Sequence, residues 1–203
     1  MQTKHVLGLA SCLALFFAVF AMPARADQWN QATKVTFSAP VEVPGTVLPA
    51  GTYLFTVMPD DPEHSVVQIW NSDHTKFYTT VMTVPNYRRK PTGNPVVLFE
   101  HTQPGAPAAV QAWFYPGDLF GHDFVYAKSR ATELAKQTGQ PVPSMSDEIA
   151  ANGNKSSANS VNDSSISAMK HAPVKATRPT GEEVDIFEVI QTTPQGSSQS
   201  NPR

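Results

Sequence analysis

The stretch VEVPGTVLPAGTYLFTVM, residues 41–58, is the feature that most limits what this chain can fold into. Val41 and Val43 alternate with Glu42 until Pro44-Gly45 interrupts the run. Tyr53, Phe55 and Val57 then alternate with Thr52, Leu54 and Thr56. A period of two sends successive side chains to opposite faces, the pattern of half-buried strands. Between the runs, Leu48-Pro49-Ala50-Gly51 offers a proline with restricted φ and a glycine able to take φ > 0, which suits a type II turn. Two strands joined by a tight turn are expected here, and the stretch carries no chemistry.

The same period recurs along the chain. Val35 and Phe37 alternate with Lys34, Thr36 and Ser38, so both are expected inward. Pro59-Asp60-Asp61-Pro62 reads as a turn whose aspartates bond their own backbone. Residues 65–71 form a strand with Val67 and Ile69 on one face and Val66, Gln68 and Trp70 on the other. After Asn71-Ser72-Asp73-His74, the Thr, Tyr, Phe and Val of residues 76–84 are expected to pair back as a hairpin. Residues 95–101 and 108–115 give two more strands, with Val110, Ala112 and Phe114 facing one way and Gln111, Trp113 and Tyr115 the other. Pro116-Gly117 and Gly121 frame an expected loop over 118–123, before a short strand at 124–126. Residues 129–138 are the one helical stretch: Ala131, Leu134 and Ala135 share a narrow face, Ser129 can cap the start, and Gly139 stops it.

Beyond residue 139 the chain turns to Ser, Asn, Pro, Gly and Thr. Burial of so few apolar groups is not expected to offset an ordering cost of ~1–2 kcal/mol per residue. Residues 140–203 are therefore expected to be a disordered tail, apart from VDIFEVI at 184–190, which can add a strand or bind a partner. The folded part is expected to be a single all-β domain, an antiparallel β-sandwich, over residues 27–139.

The first segment reads as an address. Lys4 and His5 precede an apolar run over residues 6–21, and Ala24-Arg25-Ala26 places small residues where a signal peptidase inspects them. Removal of residues 1–26, between Ala26 and Asp27, is expected, with a secreted or periplasmic product. The run is shorter than the ~20 residues that span a bilayer, so no transmembrane span is expected in the mature chain. The lone cysteine, Cys12, would leave with the leader, and with it disulfides, thiolate metal sites and cysteine nucleophiles. A net charge of −2 makes no demand for nucleic acid as a partner.

Residues 34–57, KVTFSAPVEVPGTVLPAGTYLFTV, resemble the opening of uncharacterised secreted bacterial proteins in which a short strand precedes an "LPAGTY" turn. The likeness extends through Ala112-Trp113-Phe114-Tyr115-Pro116-Gly117 and Phe124-Val125-Tyr126 and ends near Met145. More loosely, the chain is similar to the domain family of unknown function 2911 and to prealbumin-like or carboxypeptidase-regulatory-like domains. The resemblance implies an extracytoplasmic prealbumin-like or Ig-like sandwich and brings no catalytic residue with it.

Motifs for chemistry are sparse. No HExxH, HxH or GxSxG spacing occurs, so no metal, cofactor or catalytic serine is expected. Arg88, Arg89 and Lys90 lie between prolines and read as a solvated loop. Alternation places Trp70, Trp113 and Tyr115 on the face away from Val67, Ile69 and Val110, where rings among amides would suit a sugar or peptide. These three are the candidate ligand-binding residues. The function expected is a non-catalytic exported module that binds an envelope protein or glycan. The alternative is a small secreted hydrolase with its site near residues 118–123, drawing on Glu100, His101, His122 and Asp123.

Overall fold

The computed structural model describes residues 32–59, 61–63, 65–100, 102–157 and 163–192. The expected leader, residues 1–26, lies outside them, as do His64, His101 and residues 193–203. Among the described residues no helix is long and apolar enough to cross a membrane.

The described residues are mostly β, with a large mixed sheet, a smaller sheet and four helices among them. The strands of the large sheet are β1 (Ala32–Phe37), β2 (Val41–Val43), β3 (Thr46–Leu48), β4 (Gly51–Val57), β5 (Val66–Asn71), β6 (Phe77–Tyr87), β7 (Val96–Phe99), β8 (Ala108–Phe114) and β9 (Phe120–Phe124). They run in the order β1-β4-β5-β6-β9-β8-β2-β3, with β7 also paired to β8. All these pairs are antiparallel except β2 with β8, where Val41 and Glu42 lie opposite Ala108 and Ala109 in parallel. The sheet curls around its own core. Phe37 on β1 meets Phe99 on β7 at 6.1 Å between ring centroids, and Phe55 on β4 meets Trp113 on β8 at 5.8 Å, although these strands are far apart in the sheet order.

The 41–58 stretch pairs differently from expectation. Its hairpin is β2–β3, turned by Gly45 at φ 86°, whereas β4 leaves β3 to pair with β1 and β5. Gly51 is absent from the positive-φ residues and is itself the first residue of β4. The Leu48–Gly51 link is thus a corner, held by the Tyr53 hydroxyl, which donates to Pro49 O at 2.6 Å. The physical reason lies in the runs themselves: Thr46–Leu48 is long enough for one short pairing only, and the stronger Tyr53–Phe55–Val57 alternation is matched by β1 and β5 on either side.

The 118–123 segment is strand rather than loop from Phe120 onward, because Phe120–Phe124 completes the ladder between β6 and β8. Gly121 permits this. A Cβ there would collide with the Phe114 ring, which lies directly on its α-carbon.

The largest departure from expectation is the C-terminal third. Helix α1 (Lys128–Thr138) buries Ala131, Leu134 and Ala135 and ends at Gly139 with φ 72°, as its pattern predicts. Its N-cap, Ala127, makes no side-chain bond. Ser129 is instead tied through its N–H and hydroxyl to Asp147 Oδ1. After it, β11 (Val142–Met145), α2 (Asp147–Lys155), α3 (Ser164–Lys170), β12 (Lys175–Thr177), β13 (Glu183–Asp185) and α4 (Ile186–Thr192) are folded. The second sheet runs β10-β11-β12-β13, with β10 (Tyr126–Ala127) parallel to β11. Strand β11 and helices α2 and α3 bring Met145, Ala150 and Met169 onto Met82 and Val125, and Ile166 onto Met58 and Val66. Gly153 leaves room for the Met169 side chain. The expected tail over 140–203 is corrected as far as residue 192: Met145, Ala150, Ile166 and Met169 find preformed apolar partners among Met58, Val66, Met82 and Val125. In the 184–190 segment only Val184 and Asp185 lie in strand, and Ile186 begins a helix.

Candidate functional site

Trp113 does not stand on an outer platform. It is 0% exposed in the main core, edge-on to Phe55 and stacked on His122 at 5.1 Å and 20°. A β-bulge explains the change of face. Leu98 pairs with Ala112 but Phe99 with Val110, leaving Gln111 as the extra residue, so Val110 and Trp113 both reach the interior. Tyr115 packs against that core from beyond the strand end. Trp70 alone lies on the opposite face, its ring edge-on to His74 at 4.5 Å and Phe77 at 5.2 Å. The three expected ligand-binding residues, Trp70, Trp113 and Tyr115, therefore share no surface.

The hydrolase residues are divided in the same way. His122 points inward, with Thr83 Oγ1 3.2 Å from its Nδ1 and Trp113 on its ring. Asp123, its neighbour on β9, points to the other face, where Asn86 Nδ2 donates to Asp123 Oδ1 at 2.6 Å. Adjacent residues of one strand cannot converge on one reacting atom.

Asp123 does share its environment with Glu100. Burial pushes the Glu100 carboxyl up to about 7, and the Asp123 charge adds to this. Burial likewise pushes Asp123 up to about 7 against the opposing pull of the Asn86 hydrogen bond. Such a pair can hold protons near neutrality, the property expected of an acid/base couple. It also has a stability consequence. Unfolded carboxyls release their protons near pH ~4, whereas these two hold theirs to about 7 in the folded protein. The contribution is therefore full below pH ~4 and is lost as pH rises through about 7. Replacing the pair as Glu100→Gln with Asp123→Asn is expected to remove most of this pH-dependent loss, several kcal/mol. Denaturant unfolding at acid, neutral and mildly alkaline pH measures it. Among the described residues no group of three His, Cys, Asp or Glu side chains is placed to hold a metal ion.

A different set of residues gathers at the end of the large sheet where β6 stops and β9 begins. Tyr87 pairs with Phe120 across the strands, and their rings lie 5.5 Å apart at an interplanar angle of 59°. Phe120 is 70% exposed and Tyr87 40%. Arg88 follows directly. Its backbone N–H donates to Leu119 O at 2.8 Å, its side chain donates to Asp118 O and Tyr115 O, and its guanidinium covers the buried Phe114 ring at 4.9 Å. Arg88 is therefore a fastener between the two loops rather than an exposed charge. Thr92 completes the fastening, accepting from Arg88 Nη1 at 2.9 Å while its carbonyl accepts from Gly117 N at 2.7 Å. Arg89 and Lys90 next to it are exposed, and neither enters an ion pair among the described residues.

Sequence reading singled out the three cations but not Tyr87 and Phe120. The pairing that sets these rings side by side depends on β9 starting at Phe120, which local propensity in Asp118-Leu119-Phe120-Gly121 does not reveal. Comparison of the chain with protein-family models, with curated proteins and with solved structures gives no match.

Proposed function

We propose that this chain is an exported, non-catalytic module of the cell envelope that binds through the Tyr87–Phe120 end of its large sheet. The observation that carries the reading is the exposed aromatic pair beside two exposed cations, on loops fastened together by Arg88. Rigid loops at one end of a sheet are a common place for recognition residues, since the scaffold holds them still. Export rests on the apolar run and the Ala24-Arg25-Ala26 site. The two ends of the large sheet facing each other across one core support an antiparallel sandwich of the kind suggested by the likeness to "LPAGTY" proteins. Retention of the mature protein on envelope fragments tests the binding end. Phe120→Ala together with Arg89→Glu and Lys90→Glu is expected to release it, and unchanged retention would count against the reading.

The second reading, a small secreted hydrolase, draws on Glu100 and Asp123, whose carboxyls are both held near neutrality. It requires that Glu100→Gln or Asp123→Asn abolish a hydrolytic activity.

A further inference from the structure

Resting on the binding end proposed above, we infer that its partner is an anionic lipid bilayer surface, into which Phe120 inserts while Arg89 and Lys90 meet the headgroup phosphates. Three features of this end favour a bilayer over a sugar chain or a folded partner. The Tyr87 and Phe120 rings are inclined at 59° and present no common flat face on which a sugar ring could stack. Phe120 instead projects as a single large apolar group, 70% exposed, with the exposed Pro85 and Tyr87 on the neighbouring strand. A projecting aromatic side chain suits the boundary between headgroups and acyl chains.

Charge points the same way. The Asp118 charge acts on Arg88, which is itself bound into the loops. Among the described residues Arg89 and Lys90 enter no ion pair, on a chain whose net charge is −2. A cation held near an anionic leaflet gains ~1 kcal/mol, so two such cations and one inserted ring give reversible, salt-sensitive docking rather than permanent anchoring. Among the described residues the other strongly exposed aromatic, Phe187, is 69% exposed but lies on α4 beside Glu188, which pairs with Arg178.

Sedimentation of the mature protein with phosphatidylcholine vesicles, with and without about one-third phosphatidylglycerol, tests the inference. The protein is expected to sediment with the anionic vesicles and not with the neutral ones, and to be released as salt is raised. Phe120→Ala and the pair Arg89→Glu/Lys90→Glu should each weaken the partition by roughly tenfold or more. All three residues are exposed, and unchanged circular dichroism confirms that the variants are folded.

No partition onto anionic vesicles, or partition indifferent to these substitutions, overturns the lipid assignment. So does equal binding to a soluble anionic polysaccharide that survives Phe120→Ala, since charge alone would then account for it. If vesicles fail but the substitutions still release the protein from envelope fragments, the binding end stands and its partner is a glycan or protein. If the substitutions change neither, both readings fall.

Discussion

Trp113→Ala is expected to lower the stability of the fold by about 3–5 kcal/mol, the usual cost of emptying a buried aromatic site. The indole is 0% exposed, contacts Phe55 and supports the His122 ring, so its loss opens a cavity at the point where the two ends of the large sheet meet. Urea unfolding monitored by far-ultraviolet circular dichroism measures the change. Trp113→Phe separates packing from polarity. The indole Nε1 is buried without a hydrogen-bond partner among the described residues, so phenylalanine removes an unpaired donor while keeping most of the apolar contact. Its cost is expected to be well below that of alanine. A Trp113→Ala protein as stable as the parent would mean that the indole is not part of the core.

The second large effect concerns Asp61. Its Oδ2 accepts from the N–H groups of Ser65 and Val66 at 2.7 and 2.9 Å, and its Oδ1 accepts from Lys170 Nζ at 2.7 Å. The carboxyl side chain is fully buried and the Lys170 side chain is 11% exposed. Burial pushes the Asp61 pKa up, but the Lys170 ammonium and the two backbone donors outweigh it and hold the carboxyl below its ordinary range. This stabilisation is present above the unfolded carboxylate pKa of ~4 and is lost as pH falls through the lower folded value. It therefore acts in a window separate from that of Glu100 and Asp123.

Asp61→Ala takes the acceptor from two N–H groups and leaves the Lys170 ammonium beside the exposed Glu63 carboxylate, 3.6 Å away. Removing one partner of a buried pair costs about 3–5 kcal/mol. The same pair tethers α3 to the start of β5, so the variant should also be cut more readily by protease within α3. Denaturant unfolding and limited proteolysis report the two effects. A variant that keeps both its stability and its resistance would show that Ile166, Met169 and the Lys170–Glu63 pair suffice to hold α3.

Strands at the start of the chain were legible because each carries its own evidence. In β1, Val35 and Phe37 alternate with exposed neighbours, and Val67 and Ile69 on β5 face the core as their spacing predicts. Helix α1 was legible for the same reason, since Ala131, Leu134 and Ala135 sit at helical spacing and Gly139 supplies the stop. Of the binding end, the sequence showed Arg88, Arg89 and Lys90 as a cluster. It could not show that Arg88 is consumed as a fastener while the other two remain exposed.

The folded C-terminal third was not legible because its apolar residues are few and widely spaced. Ile166 and Met169 become buried against Met58, Val66, Met82, Val125, Met145 and Ala150, most of them far earlier in the chain. The face of Trp113 was hidden for a related reason. Strict alternation sends it outward, and only the register against β7, with Gln111 as an unmatched residue, turns it into the core.

What the sequence determined by itself is local: which segments have a period of two, where α1 ends, and which positions along those runs are apolar. Tertiary structure alone decided which strands pair beyond the local β5–β6 hairpin, which face of β8 is interior, that His122 and Asp123 are separated, and that Tyr87 and Phe120 meet. The physical reason is that local propensity acts over a few residues, whereas pairing and burial depend on surfaces brought together from distant parts of the chain.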